Sequence, residues 1–458
     1  MSDLIGGSEG PPEPADEPTG GRDPELHANS ILQARLGRKP RDVLEATVVM
    51  EAWMGRPARH AMSSARGFVE SDGPPLRALS DIDPFADSER SSVIAEGLTL
   101  VLLIISIAAW ATPIRRALGP NALAHAIRVA LPLAVAMQWG LRSRYLGRPH
   151  GIACLARDGL GSWALILVLV DVPLLLVPHW GIIAAMLIPI WVGGTILTRR
   201  GWGLIYAGVL VLGTLALDVA VRPEAVLGAL TVITLIMVWI GVRNPGTQAG
   251  DARAGSKSRA LRAALIGGVV GALMIADPSL GLGVHGTHPA IALIPSVIGS
   301  YWGGYYLWHF YDAVPRGLRG ASLNHAGRMT LSDPAMTIFV GAMARLVGGT
   351  VALSLVVVLL SDVFGGTDAT TVFIAFGAVA TVSMLIGMLE SFSLQTSALI
   401  AAGAALTVEL LWPNIFHLHA PGAALAAGAT IGTLLTLPPL LTRVARSGRV
   451  LATTMWIQ

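Results

Sequence analysis

The sequence predicts an all-α polytopic membrane protein. About twelve transmembrane helices lie in two six-helix halves, behind a mostly disordered N-terminal cytoplasmic tail. Three observations lead there. Of 458 residues, 53% are hydrophobic and only 13% charged, about half the charged share of a soluble domain, and the mean hydropathy is +0.63. Apolar runs of the ~20 residues a helix needs to cross a hydrocarbon core recur along the chain. The basic residues gather in alternate loops between those runs.

Residues 1–91 form the tail. Its first stretch is Gly, Pro and acidic residues, which cannot bury a core. Near 41–54 the pattern changes: Val43, Ala46, Met50, Trp53 and Met54 share one helical face, and Gly55 and Pro57 stop the helix. Two readings stand for this helix: packing on the inner ends of the membrane helices, or docking a cytoplasmic partner. A polar linker, Ser71 to Ser91, follows.

Membrane segments fall near 92–112, 121–141, 159–177, 180–198, 202–221, 224–242, 261–277, 289–312, 334–360, 370–389, 393–412 and 421–441. With the N-terminus inside, the inner loops carry Arg142, Arg144, Arg148 and Arg157, then Arg199 and Arg200, then the run Arg243 to Arg262. They continue with Arg316, Arg319 and Arg328, then Arg443, Arg446 and Arg449. The outer loops carry only Arg115, Arg116 and Arg222. This bias puts both termini in the cytoplasm and the chain in the cytoplasmic (inner) membrane, multi-pass. The polar linker 243–260 divides a first half, 92–242, from a second, 261–441, leaving a short cytoplasmic tail at 442–458. Six crossings return the chain to its starting side, so the halves share an orientation.

One stretch stands out. Ile294 to Gly320 holds four of the six tyrosines and ends on a basic turn. On a helix Tyr301, Tyr305 and Trp308 share one face, and Trp302, Tyr306 and His309 the next. Such faces anchor helices at headgroups or stack on rings such as sugars. Ala130 to Arg148 repeats the layout of early proline, apolar run, aromatic and basic end, which pairs the Pro132 and Pro295 segments as second helices of two copies. Charges inside the membrane need a reason. Arg345, among small residues, points to a water-filled cavity where its forked donors could hold a phosphate; Arg128 lies near an outer end, where it could also snorkel. Asp171, Asp218, Asp277, Glu390 and Glu409 fall at or near helix ends, where solvation explains them.

Other chemistries find little footing. Cys154 is the single cysteine, which excludes an intrachain disulfide and cysteine-based metal centres. His285 and His288 lack a third ligand, so no metal or cofactor is expected. No Walker, H-E-x-x-H or G-x-S-x-G sequence occurs, and no enzyme is expected. The arginines sit in short loops, which is no nucleic-acid signal.

The final helix, His419 to Gly432, carries a G-A-A-x-A-like stretch, and each half has an early-helix proline. In these the chain resembles the multidrug/oligosaccharidyl-lipid/polysaccharide exporter superfamily, chiefly its polysaccharide flippases. The first membrane helix lacks the internal carboxylate with which drug-exporting relatives bind a coupling cation. The resemblance implies a flippase for a lipid-linked glycan or other anionic amphiphile, working by alternating access. Arg345 and Arg128 would meet its phosphate, and Tyr301, Tyr305, Trp308 and His309 its sugars. A major facilitator transporter is the nearest alternative: Gly140 to Pro149 keeps that family's glycines and Arg148, but Arg144 and Tyr145 replace its Asp and Arg. A scaffold of a polysaccharide synthesis complex is another. A membrane glycosyltransferase would need larger outer loops.

Overall fold

The computed structural model describes residues 24–36, 40, 43–54, 58–68, 110, 113–114, 116, 119–146, 151–177, 179–220, 222–243, 254–276, 296, 341, 344, 347–352, 355–356, 359, 367–416 and 420–444. Among them are thirteen α-helices and no strand. Seven helical stretches are long and apolar enough to span a membrane, and Gly203–Val219 is a shorter apolar helix. The chain is an all-α, polytopic membrane protein. The expectations for 1–23 and 71–91 lie outside the described residues, as do most of those for the segments at 92–112, 289–312 and 334–360.

Contacts divide the chain into two units. The smaller contains α1 (Pro24–Leu36), α2 (Val43–Met54) and α3 (Ala58–Ala65), the last continued by a 3-10 turn. Ala28 and Leu32 of α1, Ala46, Val49 and Met50 of α2, and Ala61 and Ala65 of α3 form one apolar cluster. The predicted helix is therefore α2, and its apolar stripe is used within this cluster. Thr47 and Val48 are buried as well, so burial runs right round α2 instead of along one face.

The larger unit contains α4 (Pro120–Leu141), α5 (Gly151–Cys154), α6 (Leu160–Leu175), α7 (Trp180–Arg200), α8 (Gly203–Val219), α9 (Pro223–Arg243), α10 (Lys257–Leu273), α11 (Thr367–Ser391), α12 (Gln395–Phe416) and α13 (Ala423–Val444). Two helices are central. α7 and α11 are buried over 72% and 83% of their most apolar stretches, whereas the other spans are mostly bare on their outward faces, as lipid contact allows. Around α7 stand α4, α6, α8 and α9. Tyr206 of α8 ties this group together: its hydroxyl donates to Ile190 O at 2.8 Å and lies 3.1 Å from Thr234 Oγ1 of α9. Gln138 of α4 donates to Trp191 O at 3.0 Å, and Trp110 Nε1 donates to Thr214 Oγ1 of α8 at 2.8 Å. Around α11 stand α12 and α13, with α10 against α12. Ser296 donates to Phe376 O of α11 at 2.9 Å, and Thr350 to the Met384 sulfur at 3.3 Å.

Several helices run past their expected ends. α4 continues as a π-helical turn, Arg142–Leu146, and α6 is preceded by α5 and a second π turn, Leu155–Gly159. Arg142, Arg144 and Arg157 therefore ride on helical backbone, not on the long loop that composition implies.

Candidate functional site

The segments before and after the linker meet along α4 and α10. Small residues make the approach possible. A Cβ at Gly271 would fall 2.8 Å from Pro132 Cα, and one at Gly267 would fall 2.7 Å from Trp139 Cγ. Gly140 answers from α4, where a Cβ would sit 3.3 Å from that of Ala264. Pro132 lacks an amide hydrogen, so its helix loses one rung here, at the point where Gly271 packs.

This seam ends in a polar junction centred on Glu390. The turn between α11 and α12 sets that residue's position. Leu394 N donates to Leu389 O at 2.8 Å and Ser393 N to Glu390 O at 3.0 Å. With Ser393 at φ 63°, this is a Schellman cap whose left-handed position is filled by serine instead of the usual glycine. Glu390 thus sits in the last turn of α11, where the helix dipole disfavours a carboxylate. Its neighbours compensate. Arg259 Nε of α10 lies 3.8 Å from Glu390 Oε1, with the carboxylate side chain only 10% exposed and the arginine 31%. Ser143 Oγ donates to the same oxygen at 3.2 Å, and Gln395 Nε2 approaches it at 3.4 Å. Gln395 also donates to Arg259 O at 3.2 Å, closing a ring of contacts. Arg443 of α13 reaches Phe392 O at 3.4 Å beside it. Four segments from both sides of the linker are joined through one carboxylate.

Burial here departs from the expectation that acidic residues at helix ends are simply solvated. Glu390 is 8% exposed and Glu409, on α12, is 0% exposed; Asp218 does lie exposed. Glu409 sits where α13 crosses α12 most closely: a Cβ at Gly428 would meet Ala405 O at 2.5 Å and Glu409 Cβ at 3.2 Å.

Of the residues expected to hold cargo, Arg128 is described and lies on an exposed face of α4. Arg345, Tyr301, Tyr305, Trp308 and His309 lie outside the described residues. The junction residues escaped sequence reasoning because Ser143, Arg259 and Gln395 are unremarkable as types. The available signal was Glu390 itself, an acid at a helix C-terminus beside so many inner-loop arginines. Chemically, the junction is a set of exchangeable hydrogen-bond partners around a buried charge. Among the described residues, no group of three or more His, Cys, Asp or Glu is placed to hold a metal ion.

A crystal structure of MATE in complex with MaL6 is similar to this chain, at 11% identity and a TM-score of 0.42, covering 81% of this chain and 99% of that one. No family model matches the chain, and no curated protein matches it.

Proposed function

We propose that this protein is a membrane transporter of two equivalent halves that work by alternating access. The observation that supports this most is a repeated scheme of helix pairing. With six helices counted to each half, α7 and α11 are both fourth, and both are central. In each half the fourth helix touches the fifth and sixth, which touch each other. The first pairs with the fifth: Trp110 bonds Thr214, and α10 packs on α12. The second bonds a backbone carbonyl of the fourth: Gln138 to Trp191 O, and Ser296 to Phe376 O. Internal repeats with a path between them are a common architecture of secondary transporters. The Glu390 junction joins the two halves at the arginine-rich end. Formed, it shuts that end; with its partners exchanged for water, it lets the halves part.

The finer reading is that the cargo is a lipid-linked oligosaccharide or polysaccharide in the cytoplasmic membrane, with the arginine-rich end on the cytoplasmic side. The arginine bias supports the orientation. The intramembrane Arg345 supports an anionic cargo, and the Tyr301, Tyr305 and Trp308 face supports a sugar.

The test uses proteoliposomes carrying a fluorescent lipid-linked oligosaccharide. The variant combines Ser143→Cys and Gln395→Cys in a Cys154→Ser background, bridged by a short thiol cross-linker. Wild type should move the lipid between leaflets, the bridged variant should stop, and the same variant left unbridged should keep most of the rate. Undiminished movement by the bridged protein sinks alternating access at this junction. No movement by wild type sinks this cargo and leaves the scaffold reading in its place.

A further inference from the structure

The end of α4 and the start of α6 hold three hydrogen-bond donors with nothing to donate to. Tyr145 is 3% exposed and Trp163 6%, yet Tyr145 Oη, Trp163 Nε1 and Arg144 Nε are buried without a hydrogen-bond partner. Buried phenols and indoles ordinarily find one. The backbone is unusual at the same place: Arg142–Leu146 and Leu155–Gly159 are both π-helical, a geometry frequent at functional sites.

Two of these donors meet beside Gly159. A Cβ there would stand 2.7 Å from the Tyr145 hydroxyl, so only glycine admits the phenol. Trp163 is one turn further along the same helix. The Arg144 guanidinium carbon lies 5.2 Å from the centroid of the Tyr145 ring. Arg157 donates to both oxygens of the nearby acid, Asp158, at 2.9 Å, and the Asp158 charge also acts on Arg144. What remains is one cationic donor and two neutral donors, whose complement is an anion with several acceptor oxygens.

Position narrows the anion's source. Arg144 and Tyr145 stand at the end of one membrane span, Ala122–Leu146, which is headgroup depth. Beside it α6 presents Leu165 and Leu169, 59% and 64% exposed, as a surface on which acyl chains can lie. We propose that Arg144, Tyr145 and Trp163 bind the phosphate of an anionic lipid headgroup. This site does not depend on the transport reading.

The experiment places the full chain in nanodiscs of equal parts phosphatidylglycerol and phosphatidylcholine. It then counts lipids retained after transfer to detergent by native mass spectrometry. Wild type should retain phosphatidylglycerol selectively. Tyr145→Phe with Trp163→Phe removes two donors, the second together with one ring of the buried indole, and should cut that selectivity about tenfold. Should this pair unfold in a melting control, Arg144→Gln, at a half-buried side chain, decides instead and should lose as much. Arg243→Gln removes an equal charge from the exposed end of α9, away from the slot, and should change nothing. Equal retention of the two lipids by wild type overturns the proposal. So does unchanged selectivity in the deciding variant, or an equal loss in Arg243→Gln, which would mean diffuse charge. If inorganic phosphate alone empties the slot of lipid, a soluble anion is the ligand and the lipid assignment falls.

Discussion

The two central helices are surrounded alike and held differently. α7 is tied by directional bonds: Tyr206 to Ile190 O, Gln138 to Trp191 O, and Thr231 Oγ1 to Met186 O at 3.1 Å. Each fixes a neighbour at one height along the axis, because a shift of one residue breaks it. Between α12 and α13, among the described residues, the contact is made by small residues. Cβ atoms at Gly422, just before α13, and at Gly428 and Gly432 within it would fall against Val372, Ala405 and Val382. The hydroxyls of Thr407, Thr430 and Thr433 bond back to their own helices at 2.7 to 2.9 Å. Contact of this kind is lost steeply when a gap opens, but it names no partner along the axis. Among the described contacts, those of α7 fix heights along the axis, and those between α12 and α13 fix distance.

The largest expected effect tests the close packing around α11. Gly428→Ala drives a methyl onto the Ala405 carbonyl, which is backbone and cannot swing away. We expect a loss of about 3 kcal/mol, read as a lower melting temperature in detergent. Gly208→Ala in α8, with open space around it, should be neutral or slightly stabilising. Equal melting of the two variants would remove the contrast.

The next effect tests the locks around α7. Tyr206→Phe keeps the ring and deletes the hydroxyl that reaches Ile190 O and Thr234. A loss of about 1 kcal/mol is expected, with hydrogen exchange rising in α7 and α9 before α12 and α13. Exchange that rises first in α12 would mean the locks do not govern the helices they join.

The smallest effect sharpens the comparison at the turn that holds Glu390. Ser393→Gly relieves a left-handed serine at φ 63° and should stabilise by about 0.5–1 kcal/mol. Slower opening of the junction in cross-linking kinetics would accompany it. A destabilised variant would show that the Ser393 side chain matters more than its backbone.

What the sequence made legible is what depends on local composition. Nine of the expected segments stand as helices α4 and α6 to α13, because ~20-residue apolar runs have no other stable state in a bilayer. Two helices of the small cluster were not legible: α1 and α3 intersperse their apolar residues with Ser, His, Arg and Asn, and only their burial against α2 explains them. The Glu390 junction was not legible either, since Ser143 and Glu390 are 247 residues apart. Residue type cannot announce such a meeting. The π turns carry no propensity signal, so Tyr145 read only as a departure from another family's loop. The glycines were legible as tight packing in general; which of them touch, Gly271 with Pro132 or Gly428 with Ala405, was not.

A π turn is what a helix makes of one residue too many. Two such surplus residues flank the gap between α4 and α6, at Arg142–Leu146 and Leu155–Gly159. Deleting one from the first would restore regular helix and turn everything after it by about 100°. Arg144 and Tyr145 would then face away from Gly159, while α4 itself kept its register against α10. A single-codon insertion or deletion can therefore make or break the approach of Tyr145 to Gly159 without touching the seam between α4 and α10.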